Sequence, residues 1–456
     1  MTWLAGSVRL ALGVDDLEAL AARDPRSIAE AQLSEGDQVD FKLKHDLEAS
    51  RLERGLAIAE DVAAFANHRG GLLVYGVEEA GGIAQSVPGL DAGPSPEALM
   101  NRVRQAVVNY TAPPPNIDTR VVPVPDVADR SVLLVSVPPS AEQPHAVRRG
   151  ATLDYRVRDG SSSRHLSEHE VAGRYRQRFA GLDEHRAVVA AIAANMEAHA
   201  QAAAVPWKQW VWCAVIPHQR TTARSLTKEV VEEVTVWDRD EGFWFPVQDP
   251  GWPTGRLLAR PRRLQVTDGR HASRREPGAL TQEPRSAELW LDGTTSFRHA
   301  YLSDEDDLLA ETAQGVMPHW WLATVLIVGI SKGLLWARHC GSWGTAEVIA
   351  GVQLRRGSSL TFDAAPGIDL SEGVSESLIV DLGASVDIPG ELAIAAEVAA
   401  LILQSCGVLS PDCLGLDGTV FKQMWGHAHH HAVEQWASEH GVDTSDFPGP
   451  NPMALI

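Results

Sequence analysis

A helix-forming stretch, two consecutive glycines and a short apolar run follow one another between residues 52 and 77. Leu56, Ile58, Ala59, Val62, Ala63, Phe65 and Ala66 recur at the spacing of a broad helical face. Gly70 and Gly71 close that helix, because glycine takes the left-handed conformation of a helix end at little cost. The apolar run Leu72–Val77 is too short for a second helix and is expected to be a buried strand. A helix that turns straight into a buried strand needs a mixed α and β unit around it.

The flanking pattern extends this unit. Asp37–Lys42 alternates, with Val39 and Phe41 on one face, and is expected to be a strand. A short helix is expected over Asp15–Ala22 and an amphipathic one over Glu97–Tyr110, stopped by Pro113-Pro114-Pro115. Arg120–Val124 and Ser131–Val137 read as strands, and Ala146–Val157 as a hairpin about Arg149-Gly150. Ser167 with Glu170 fits a capping box opening a helix to about Phe179. An alanine-rich helix follows at 183–204. Beyond it the texture changes, with Trp207, Trp210, Trp212, Trp237, Trp244 and Trp252 in short order. Helices are expected near Asp304–Thr312, His319–His339 and Glu391–Gln404, and strands within 347–381. The expected fold class is α+β. A first domain covers 1–182, a connecting helix 183–204, a separate mixed α/β domain 205–440, and a loose proline-rich tail 441–456.

Composition narrows the function. At 456 residues the chain is long enough for two or three domains, and 44% hydrophobic residues exclude a disordered polymer. Four scattered cysteines make no disulfide framework, and the start has no basic segment, so a cytoplasmic protein is expected. The longest apolar run, Trp320 to Ile330, is too short to span a bilayer and reads as core. The net charge of −20 argues against a general nucleic-acid coat. Within 145–180, however, eight arginines face four acids. Any polyanion contact is therefore expected in the first domain.

Three blocks carry a family resemblance. The first is Ser34-Glu35-Gly36-Asp37-Gln38-Val39-Asp40-Phe41-Lys42, two acids five apart running into Phe-Lys. The second is Ala63 to Glu79, a helix ending in Ala-Phe-Ala-Asn, the glycine pair, and a strand ending in Gly76-Val77 and acids. The third runs from Pro144-His145 through Arg158-Asp159-Gly160-Ser161-Ser162 to Arg164. In this order they resemble the Schlafen family, and the first domain is similar to its AlbA-like domain. The resemblance covers about a third of the chain. It implies a nuclease site at Glu35, Asp40 and Glu78, with Glu79 as the rival for the third place. It implies a bacterial Schlafen-like endoribonuclease acting on structured RNA such as tRNA, and antiviral defence as its setting. The chain departs from the family pattern twice, with Asp at the second position and Glu at the third.

The residues themselves support the same chemistry. Three carboxylates that converge must take up a proton or hold a cation. Oxygen ligands favour Mg²⁺ or Mn²⁺, which activate water and steady charge on a phosphoryl group. Lys42 is placed to contact the scissile phosphate or balance the acids. Arg148, Arg149, Arg156, Arg158 and Arg164 are the expected backbone contacts, with a solvated face paired to Asp154, Glu168 and Glu170 as the plain alternative. Asn67 is expected to satisfy the last carbonyls of its helix. Gly329-Ile330-Ser331-Lys332-Gly333 does not have the spacing of a phosphate-binding loop, so no Walker-type ATP site is expected. The expected partner is RNA or DNA, with homo-oligomerisation possible and no membrane. The rival function is a non-catalytic DNA- or RNA-binding regulator with a C-terminal sensor domain.

Overall fold

The strand Gly71–Tyr75 is buried along its whole length and organises the first of two units, Met1–Glu184 and His185–Ile456. The computed structural model describes residues 3–43, 51–91, 96–202, 208–221, 225–240, 245–247, 252–253, 256–267, 284–301, 314–363, 370–382, 387–425 and 429–446. The chain is α+β. The stretch expected to be helical at 304–312, residues Trp207 and Trp244, and the tail beyond 446 lie outside the described residues.

In the first unit, Gly71–Tyr75 pairs parallel with Val39–Lys42 and antiparallel with Arg130–Val137. Arg130–Val137 also takes Asp118–Pro123 and Leu90–Asp91. Successive side chains of a strand point to opposite faces, and here both faces are covered. Leu72 and Val74 join Val39, Phe41 and Leu134 in a core closed by Leu4, Val8, Leu17 and Ile28 of the N-terminal segment. Leu73 and Tyr75 join Val135, Ile58, Val62, Phe65, Val103 and Val107 in a second core. The helices Arg51–Ala66 and Pro96–Tyr110 supply that second layer. Doubly covered strands read as continuous apolar runs, which is why Leu72–Tyr75 has no alternation.

A second sheet of four strands runs in the order Ser162–His165, Thr152–Asp159, Ala146–Arg149 and Thr111–Ala112. Asn67 ties it to the helix Arg51–Ala66. Its amide donates to the carbonyls of His145 and Arg156 at 2.8 Å each and accepts the His145 N–H at 2.7 Å. The side chain is therefore a clamp across the chain and not a cap of its own helix. The Asn67 carbonyl instead accepts from Arg174.

The capping box at Ser167 forms as expected: Glu170 accepts the Ser167 N–H at 2.8 Å, and the Glu170 N–H reaches Ser167 Oγ at 3.4 Å. The helix it opens runs unbroken over Glu168–Gln201, 34 residues, where a stop near Phe179 and a separate helix were expected. Gly181 lies inside the helix, between the two expected segments. Glycine inside a helix costs only about 1 kcal/mol and does not end it without a left-handed turn.

The second unit is built on a seven-stranded sheet. Its order is Arg256–Arg260, Arg263–Thr267, Arg285–Trp290, Thr295–Tyr301, Gln209–Pro217, Thr345–Leu354, Val374–Asp381, with every neighbouring pair antiparallel. The helix His319–His339 packs on Gln209–Pro217 and Thr295–Tyr301, and Ile388–Gln404 packs on that helix in turn. His319–His339 is long and apolar enough to cross a membrane, but 89% of its apolar window is buried inside the unit. Gly329 and Gly333, one turn apart, let it lie against Cys213, Phe297, Val215 and Thr295. Trp210, Trp212 and Trp237 are core residues at 2% exposure each.

Candidate functional site

The acids of the first block meet where the strand Val39–Lys42 emerges from its loop. The loop is fixed by two main-chain bonds, Glu35 N–H to the Gly82 carbonyl at 2.7 Å and Ala84 N–H to the Leu33 carbonyl at 3.0 Å. Glu35 then folds back on the strand, and its Oε1 accepts the Phe41 N–H at 2.9 Å. Burial raises the Glu35 pKa, and the charges of Asp40 and Glu79 push the same way; the Phe41 N–H and Lys42 oppose them.

Asp40 pairs with Leu73 across the parallel ladder, on the face opposite Val39 and Phe41. That face is covered, so Asp40 is only 4% exposed. Two cations meet it there: Lys42 Nζ at 3.0 Å and Arg158 Nη1 at 3.4 Å. Lys42 also lies 3.7 Å from Asp61, on the helix Arg51–Ala66. Arg158 was expected on a phosphate-binding surface. The structure buries it to 4% exposure, stacks it on Phe65 at 4.7 Å and bonds it to the Gly36 carbonyl at 3.0 Å. The cause is the covering of the Asp40 face, where a guanidinium compensates a carboxylate that water does not reach.

Glu78 lies on another element. The chain leaves the central strand at Gly76 and makes a separate two-stranded ribbon, Glu78–Ala80 with Ile83–Ser86. The Glu78 carboxylate is exposed and accepts from Ser86 Oγ at 2.8 Å. A register shift between Glu78 and Glu79 re-aims the second acid. Glu79 bonds the Gly82 N–H at 2.7 Å and lies in the field of Glu35. The structure thus gathers Glu35, Asp40 and Lys42, adds Asp61 and Glu79 around them, and leaves Glu78 on the ribbon.

The remaining expected arginines lie on the strands Ala146–Arg149, Thr152–Asp159 and Ser162–His165. Arg156 is 3.0 Å from Asp154 and 3.3 Å from Glu60, and Arg149 also pairs with Glu60. Arg164 pairs with Glu170 at 2.7 Å. Arg148 is exposed and has no ion pair among the described residues. A groove of about 370 Å³ opens beside Asn67, lined also by His68, Arg69, Gln143, Glu170 and Arg174. Glu60 and Asp61 were not singled out in the sequence. Their signal was present as two adjacent acids within an otherwise apolar helical stretch.

A mixed helix-and-sheet unit with an acid and lysine pocket among arginines defines a domain of nucleic-acid-related type. Residues 35–167 match the family model described as Schlafen, AlbA_2, and the chain carries a Schlafen AlbA_2 domain there. No curated protein matches the chain. Among solved structures, the DIP2311 protein from Corynebacterium diphtheriae is similar at 22% identity over 31% of this chain and 26% of that one, with a TM-score of 0.21. The match therefore spans about a quarter of that protein's length.

Proposed function

We propose that the first unit is a metal-dependent endoribonuclease that cleaves structured RNA such as tRNA, with Glu35, Asp40 and Lys42 at its centre. The observation that carries this reading is the charge count in the pocket. Among the described residues, Glu35, Asp40, Asp61 and Glu79 face Lys42 and Arg158, so the acids outnumber the cations there. Burial first, and the charges of Asp40 and Glu79 after it, raise the Glu35 pKa, as at many functional sites. Oxygen donors of this kind suit Mg²⁺ or Mn²⁺. Glu35 and Asp40 would hold the ion, which would supply an activated water, and a third carboxylate, Glu78 or Glu79, would have to move in to join them, since the three do not form a close trio among the described residues.

The chain's own residues have separate tasks. Arg158 fixes Asp40 from the buried side. Lys42 bridges Asp40 and Asp61 and is partly exposed, placed to move onto a phosphate. Arg148, Arg149, Arg156 and Arg164 would orient the backbone, since phosphate contacts position without reading sequence. A defence role belongs with this reading.

A second reading, a non-catalytic AlbA-like nucleic-acid binder, is favoured by one specific observation: Asp40 already has two cationic partners. Incubation with total tRNA and Mn²⁺ or Mg²⁺, with and without chelator, separates the two. Cleavage by the wild type that is lost in Asp40→Ala and with chelator supports the nuclease. Retained RNA binding without cleavage under all conditions overturns it in favour of the binder.

A further inference from the structure

The second unit holds a cluster of side chains that the pocket of the first does not use. The helix Glu168–Gln201 lays Val188, Val189, Ile192 and Met196 against Trp212, Ala214, Ile216 and Ile349 of the large sheet. Residues two apart on a strand share a face. The seam that runs through Ile216 therefore continues to His218, and the one through Ile349 to Glu347. One helical turn before Val188 and Val189 stands His185. The apolar seam thus ends in two imidazoles and a carboxylate, brought together from positions far apart in the chain.

Their geometry is close. His185 Nε2 lies 2.8 Å from Glu347 Oε2, and the His185 and His218 rings stack at 4.3 Å with 13° between their planes. One ligand atom from each of the three lies within 4.8 Å of the others, and no other trio of this kind occurs among the described residues. Thr345 Oγ1 sits 3.2 Å from His218 Nδ1. His185 is 6% exposed, and its Nδ1 has no hydrogen-bond partner among the described residues.

We propose that His185, His218 and Glu347 bind a divalent transition-metal ion of the zinc type. Two nitrogens and one carboxylate oxygen are a donor set for zinc and its neighbours, whereas Mg²⁺ and Ca²⁺ take oxygen. Bonds of about 2.0–2.1 Å in a tetrahedron put ligand atoms about 3.3 Å apart, between the 2.8 Å and 4.8 Å seen here. One imidazole turning out of the stack, with a small shift of the Glu347 carboxylate, would bring the three donors round one ion. The three ligands leave one position for water or a substrate atom, and Thr345 holds the His218 ring from behind, as outer-shell partners of metal-bound histidines do. The site is independent of the carboxylate pocket and of the function proposed for it.

Co²⁺ titration of the full chain after chelator dialysis tests the site. With Mg²⁺ kept in excess to fill any oxygen-only site, one equivalent is expected to bind with visible absorption of a nitrogen and oxygen environment, without a thiolate band, and to be displaced by Zn²⁺. His218→Ala and Glu347→Gln should each weaken binding at least about tenfold, and Thr345→Val about tenfold. Absence of saturable Co²⁺ and Zn²⁺ binding to the wild type overturns the proposal. So does unchanged affinity in His218→Ala and Glu347→Gln that keep the wild-type circular dichroism. If both variants unfold, Thr345→Val decides, and unchanged affinity there overturns it.

Discussion

Phe65 lies across Gly71, so closely that a β-carbon on Gly71 would overlap its ring. The Phe65 ring also carries the Arg158 guanidinium 4.7 Å from its centre. The glycine that follows the helix therefore makes room for the ring on which the partner of Asp40 rests. Gly71→Ala is expected to destabilise the first unit by about 1–3 kcal/mol, the usual cost of overpacking. The urea midpoint of unfolding measures this, and restoration by Phe65→Leu in the double variant would show that the contact is the cause.

Asn67 holds three main-chain groups of the hairpin and the Pro144–His145 turn. Asn67→Ala leaves a buried N–H and two carbonyls without that partner. The expected loss is about 1–3 kcal/mol, as for an orphaned buried group. Denaturant titration checks it, and Asn67→Asp should lose at least as much, because a buried carboxylate oxygen then faces the His145 and Arg156 carbonyls with no proton to give.

Burial lowers the His145 pKa to about 4, with its ring nitrogen 2.7 Å from the Pro113 carbonyl. In the unfolded chain the value is about 6.5. The unfolded state therefore binds the extra proton first. Stability from this group is complete above pH 6.5, falls as pH drops towards 4, and is flat below. The total is about 3 kcal/mol. Burial depresses His199 in the second unit in the same direction. Urea midpoints between pH 7 and pH 4 should fall for the wild type, and fall less steeply for His145→Gln.

Arg148 and Arg158 should separate surface from interior. Arg148→Ala is expected to change stability by less than about 0.5 kcal/mol and to reduce the salt slope of RNA binding by about one. Arg158→Ala should destabilise by up to about 3 kcal/mol, because it strips one of two cations from a buried carboxylate. RNA titrations at several salt concentrations, beside denaturant curves of both variants, test the pair.

Two helical glycines should respond in opposite ways. A β-carbon at Gly181 meets nothing within 4 Å, whereas at Gly329 it would meet Cys213 and Phe297. Gly181→Ala should stabilise by about 0.5–1 kcal/mol through helix propensity. Gly329→Ala should destabilise by about 1–3 kcal/mol through overpacking. Thermal unfolding of both variants reads the signs.

Much of the first unit was legible in the sequence because its signals are local. The glycine pair, the capping box at Ser167 and the hairpin turn at Gly150 each act within a few residues. The partners of Asp40 were not legible. Strand alternation placed Asp40 opposite Val39 and Phe41, but nothing near it in the chain says that Phe65 and Arg158 cover that side. The same holds for Glu78 and Glu79, whose short ribbon has a register shift between them that the sequence does not announce. His185, His218 and Glu347 lie on three elements, and only the assembled sheet reveals that they share a face. Gly329-Ile330-Ser331-Lys332-Gly333 shows the reverse: its spacing excluded a phosphate loop, and its glycines serve close packing.

That close packing bears on how the chain is made. The helix His319–His339 follows Gln209–Pro217 and Thr295–Tyr301 in order of synthesis, so its docking strands leave the ribosome first. Ile388–Gln404, which packs on the helix in turn, is translated some fifty residues later. Domains fold from the N-terminus during translation at about 5–20 residues per second. For several seconds, then, a nascent chain carries a greasy helix shielded on one flank only. A ribosome stalled in that interval presents an aggregation-prone surface that the finished protein never shows.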